Sequence, residues 1–145
     1  MSRKKAFEFL EHISDIYVAA YGETLEEAFE NAALAMFETM TDTKNVEQKE
    51  EDFVEVRAVD EYALLYSWLE ELLIKFEVNE RLYSKFKIER IEKSKEGYVL
   101  RATIVGEQLD LGKHPSKVGI KAITYHLMEI IRGDNQITVK FLLDI

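Results

Sequence analysis

The sequence contains no cysteine, which removes disulfides, thiolate metal ligands and thiol nucleophiles together and agrees with a reducing, cytoplasmic setting. It has one proline and six glycines, and no Ser/Gly-rich or repeated stretch marks a linker. With 145 residues, near the commonest domain size, one domain spanning 1–145 is expected. No apolar run approaches the roughly 20 residues that cross a bilayer. The basic start (Met-Ser-Arg-Lys-Lys) leads into Phe7, Glu8, Phe9, Leu10 and Glu11 instead of an unbroken apolar stretch, so neither a signal peptide nor a membrane partner is expected. Positive charge is in deficit too: 19 Lys and Arg against 28 Asp and Glu leave a net charge of −9. Gripping a phosphate backbone with a basic face is therefore disfavoured, and an acidic chain suits a cation or a basic partner. A phosphate-cradling Gly-rich loop, a G-x-S-x-G elbow and an H-E-x-x-H pair are all missing, which argues against stand-alone nucleotide chemistry.

What is present suffices for a core, since 47% of residues are hydrophobic and 11% aromatic. Residues 5–12 and 16–21 read as two strands interrupted at Ser14 and Asp15. Gly22 closes the pair, and Thr24-Leu25-Glu26-Glu27 has the Thr-x-x-Glu spacing of a capping box. The helix it starts carries Leu25, Ala28, Phe29, Ala32, Met36, Phe37 and Met40 on one stripe and Glu26, Glu30 and Glu38 on the other. Residues 44–52 read as a solvated loop before a strand with alternating Val54, Val56 and Ala58. Asp60 offers an N-cap for a second helix from Tyr62 to Phe76, with Leu65, Trp68, Leu69, Leu72, Leu73 and Phe76 forming its stripe. Strands are expected at 82–92, 97–105, 119–131 and 136–144, with Arg132-Gly133-Asp134-Asn135 as a turn. The fold class is α+β: two amphipathic helices packed on a mostly antiparallel sheet, as a single-domain sandwich.

Few residues stand out chemically. His12 and Asp15 lie together at a strand break, where His12 could be a ligand or a solvated side chain, and Asp15 could be a ligand or a turn cap. Asp144 and the main-chain oxygens of Ile145 close a sequence whose terminal residues are expected to be held on the sheet. If Asp15 met them, mutual repulsion would call for an oxygen-seeking ion such as Ca²⁺ or Mg²⁺; two unrelated surface aspartates are the competing reading. Asp110 and His114 share a loop with the only proline, either a functional loop or a polar connection. Lys121 could be a strand-edge charge or an anion contact. His126, alternating with Tyr125 and Leu127, reads as half-buried and structural.

Taken in order, several segments resemble the archease family: His12-Ile-Ser-Asp15-Ile, Gly22-Glu-Thr-Leu-Glu-Glu-Ala-Phe29 with Ala33-Leu-Ala-Met-Phe37, and Leu65-Tyr-Ser-Trp-Leu-Glu-Glu-Leu-Leu73. Gly106-Glu with Asp110 and Lys113-His114, Lys121-Ala-Ile-Thr-Tyr-His126 and the closing Leu143-Asp144-Ile145 follow. The resemblance runs from about Phe7 to Ile145. Ile13 and Ser14 stand where many relatives have Thr-Ala, but Asp15 is kept. The resemblance implies a non-enzymatic cofactor of the RNA-splicing ligase that joins tRNA exon halves. Such a cofactor promotes the ligase's guanylylation and multiple turnover and meets tRNA only through the ligase. It also implies a metal site at Asp15, Asp144 and Ile145, with Ca²⁺ first and Mg²⁺ or Mn²⁺ as alternatives, and Lys121 as a contact with the ligase. His12, Asp110 and His114 are further candidate contacts. A chaperone, or a modulator of tRNA-modifying methyltransferases, is the second reading. A metal-dependent hydrolase using Asp15, Asp110, His12 and His114 is the third.

Overall fold

A computed structural model describes residues 5–145; most of the basic start, residues 1–4, lies outside them. Helix α1 (Leu25–Met40) begins where the capping residues demand it. The Thr24 hydroxyl accepts from the Glu27 N–H at 3.1 Å, while the Glu27 carboxylate accepts from the N–H of Glu23 at 2.8 Å. The reciprocal cap thus lands one residue earlier than the standard box places it. Helix α2 (Glu61–Asn79) is capped by Asp60, whose carboxylate accepts from the Ala63 N–H at 2.8 Å. It runs a turn beyond the expected range and stops at Glu80, which adopts the left-handed conformation at φ 50°. Both apolar stripes are buried: Phe29, Phe37, Leu65, Trp68 and Leu72 are fully enclosed, each worth roughly 1.5–3 kcal/mol. The Trp68 indole N–H donates to the Phe29 carbonyl at 2.9 Å, which joins the two helices through a buried polar contact.

The seven strands are β1 (Phe7–Leu10), β2 (Ile16–Gly22), β3 (Glu50–Ala58), β4 (Arg81–Ser94), β5 (Gly97–Gln108), β6 (Ala122–Arg132) and β7 (Ile137–Asp144). They form two sheets instead of the one expected, ordered β1-β2-β7-β6 and β3-β5-β4, and every described pairing is antiparallel. Alternation marks strands in the sequence but carries no record of their partners, which is why two sheets were read as one. Each helix packs against strands of both sheets, so a single core fills the space between them. The loop expected over 44–52 is shorter than that, since a 3₁₀ turn occupies Thr43–Asn45 and β3 starts at Glu50.

The strand expected over 119–131 is also corrected. Residues 119–121 are unpaired in the ladder, and β6 loses its regular register with β7 between Thr124 and Glu129. Leu127 takes φ 60° within that irregularity. His126, expected to be half-buried, is exposed, because the extra residues break the alternation on which that expectation rested. No described helix is long and apolar enough to cross a membrane.

Glycine is required at position 106. Gly106 faces Tyr83 beside a register shift in β4, and a Cβ built there would lie 1.8 Å from the Leu82 carbonyl oxygen. Because that neighbour is backbone, Gly106→Ala is expected to cost about 1–3 kcal/mol. A urea midpoint equal to that of the parent chain would contradict this packing.

Candidate metal and partner site

The pairing of β2 with β7 runs from Gly22 opposite Ile137 to Ile16 opposite Leu143. The next positions outward on the two strands are Asp15 and Asp144, so residues from opposite ends of the sequence are brought to one end of the sheet. On its other side Asp144 is opposite Ala122, and its carbonyl accepts the Lys121 N–H at 2.7 Å. Lys121, Asp144 and Ile145 are thereby neighbours. The His12 Nδ1 lies 3.8 Å from an Asp15 carboxylate oxygen, and its ring meets Tyr17 edge-on at 6.1 Å.

Charge is distributed unevenly at this end of the fold. Lys117 pairs with Glu38 and Asp42 at 2.8 Å each, while its N–H donates to the Met40 carbonyl at 3.0 Å. That contact occupies an orphan carbonyl at the α1 C-terminus with a cationic residue, where both a donor and positive charge are favourable. Lys113 pairs with Glu47 and Glu107 at 3.0 and 2.8 Å. By contrast, no described Lys or Arg pairs with Asp15 or Asp144. An all-oxygen set made by these two groups and the Ile145 main chain matches the ligand preference of Ca²⁺, and of Mg²⁺ or Mn²⁺. The described residues hold no group of three or more His, Asp or Glu side chains poised on a common metal position.

His114, expected as a partner contact, is buried instead. Its Nε2 lies 2.9 Å from Glu107, and its Nδ1 accepts the Asp110 N–H at 2.9 Å. With Nδ1 accepting, the ring nitrogen that faces Glu107 is the one placed to donate. Asp110 builds the turn, its carboxylate accepting the Gly112 N–H and its carbonyl the N–H groups of Lys113 and His114. Both residues organise the loop, because a buried Glu107 needs donors on every side. Burial alone would raise the Glu107 carboxyl, but Lys113, the Glu47 N–H and His114 outweigh it and hold the group at about 2. The sequence reading missed Glu107, and its one signal was its place between Gly106 and the Lys113-His114 pair. It also missed the stack of Tyr66 on Tyr125, which no spacing in the sequence reveals.

A model of the archease protein family matches residues 7–145. The chain is 45% identical over 141 residues to a protein archease of Methanothermobacter thermautotrophicus, with 97% of this chain and 99% of that protein covered. It is 44% identical over 139 residues to a protein archease of Sulfurisphaera tokodaii, with 96% and 98% covered. The solution structure of protein 1598 from Methanobacterium thermoautotrophicum superposes with a TM-score of 0.82 at 42% identity, covering 97% of this chain and 99% of that one. A crystal structure from Thermotoga maritima, described as an archease and possible chaperone, gives 0.62 at 19% identity over 100% and 98%, a likeness in fold alone.

The Glu107 network has a pH signature. A carboxyl held below its ordinary 4.5 contributes stability that is present above pH 4.5 and lost as pH falls toward about 2. Glu107→Gln is expected to be less stable at neutral pH and to show a smaller loss across that acid window. Urea midpoints at a series of pH values measure this, and equal acid sensitivity in the two chains would contradict it.

Proposed function

Since this chain belongs to the archease family, we propose that it acts as an accessory protein to an RNA-splicing ligase, using a divalent ion held by Asp15 and Asp144. The observation that supports the proposal is the β2–β7 register: it ends at Ile16 opposite Leu143, so Asp15 and Asp144 follow next at the same end of the sheet, and neither has a described Lys or Arg partner. Asp15, Asp144 and the Ile145 main-chain oxygens would hold the ion, with Ca²⁺ the best match to an all-oxygen set and Mg²⁺ or Mn²⁺ the alternatives. Ca²⁺ takes roughly six to eight oxygens, more than these residues supply, so part of its coordination is left to water or to the partner. When bound, the ion supplies positive charge against the phosphate oxygens of the ligase's nucleotide.

The chain's own residues do the positioning. Asp15 and Asp144 project from the end of a sheet whose centre is fully buried, and a charge set on rigid strands loses little on docking. Lys121, exposed and fixed through its N–H to Asp144, offers an ammonium to anionic groups of the ligase. The net charge of −9 keeps RNA from binding this chain directly, so tRNA is reached through the ligase, which retains the nucleophile. A chaperone role, or modulation of methyltransferases, is the second reading. It is favoured by exposed aliphatic loop residues, Ile13 fully exposed and Leu111 76% exposed.

Asp15→Ala and Asp144→Ala are each expected to lower stimulated ligase guanylylation and multiple-turnover joining by about tenfold or more, the effect of losing a charge interaction of at least about 1.4 kcal/mol. Lys121→Ala should weaken stimulation while leaving divalent-ion binding intact. Full stimulation by both aspartate variants would refute the proposal; suppression of client aggregation that depends on Ile13 and Leu111 would favour the second reading.

A further inference from the structure

Beyond its first three pairs with β7, β6 carries an arrangement that the proposed function does not use. Five steps of β6, from Thr124 to Glu129, are set against two of β7, from Leu142 to Lys140. The extra residues swing Tyr125 out of the ladder and onto α2, where its ring stacks on Tyr66 with centroids 4.5 Å apart and planes 9° from parallel. One face of Tyr125 rests on Tyr66. The residue is still 52% exposed, which leaves the ring surface turned away from Tyr66 open to solvent, and Tyr62 and Leu127 on the same two elements are exposed as well. Leu127 at φ 60° is in a conformation that a branched side chain seldom adopts, and such strain is kept where the arrangement it supports is useful.

The charge around the stack has one sign. Partial burial, then the carboxylates of Asp60 and Glu70, raise the Tyr125 hydroxyl, while burial and Glu70 raise that of Tyr66. Neighbouring Glu61 is neutralised by Arg132, but neither Asp60 nor Glu70 has a cationic partner among the described residues. An open aromatic face beside uncompensated carboxylates attracts a planar cation, which can stack on the ring and meet the acids at its edge. A phosphate-bearing base could stack there too, but the carboxylates repel it.

We propose that the open face of Tyr125, with Glu70 and Asp60 beside it, receives an arginine side chain from a protein partner. The full chain titrated with N-acetyl-arginine amide, and read by NMR at the Tyr66 and Tyr125 rings, tests this. Saturable shifts of both rings are expected. Affinity should fall roughly two- to fivefold, the range of an exposed cation–π contact, in Tyr125→Leu and again in Glu70→Gln, with other resonances unmoved. The lysine counterpart should bind more weakly. Absence of saturable shifts, equal binding by both variants, or stronger shifts with adenosine monophosphate would overturn the proposal. No divalent ion enters the experiment, so its outcome is independent of the Asp15 and Asp144 site.

Discussion

The proposed site at Asp15 and Asp144 depends on the pairing of β2 with β7 at the centre of the four-stranded sheet. Val18 and Ala20 face Phe141 and Val139 in register, and all four are fully buried. Closing so long a loop costs conformational entropy that grows slowly with length. The burial of this central pair, and of the helices packed over it, offsets that cost. The register admits little slippage, because a shift by one residue would turn the buried set toward solvent. It therefore fixes which residues follow at the strand ends, and these are Asp15 and Asp144.

The same end of the fold gathers most of the polar detail. The segment from Glu107 to Lys121 passes from the three-stranded sheet, along the C-terminus of α1, to the start of β6. Along the way its backbone and lysines satisfy carbonyls and carboxylates that would otherwise be unpaired. The buried Glu107 and His114 fasten it near one end, and the Lys121 N–H fastens it to Asp144 at the other. Glu38, Asp42, Glu47 and Glu107 along this path have lysines beside them, whereas Asp15 and Asp144 have no described Lys or Arg partner.

Local signals made much of the fold legible. The Thr24 and Asp60 caps and the two apolar stripes located both helices, because capping and helical periodicity are short-range properties. Long-range pairing was less accessible: alternation at Val54, Val56 and Ala58 gave a strand but not its sheet. The irregularity at 124–129 could not be read because β-branched residues announce a strand, not a break within it. Of the candidate site residues, Lys121 and Asp144 are joined by a main-chain hydrogen bond and His12 lies beside Asp15. Asp110 and His114 serve the loop, since a histidine beside a proline in sequence gives no hint that a glutamate seven residues earlier is buried against it.

The most direct test of the account is a calorimetric Ca²⁺ titration of the full chain and of Asp15→Asn, Asp144→Asn and the double variant. If the two carboxylates share one ion, either single change removes most of the binding and the double variant is little worse than either, the non-additivity of groups that act on one ligand. Absence of binding to the parent chain, or losses that simply add, would show that the two aspartates do not form one site.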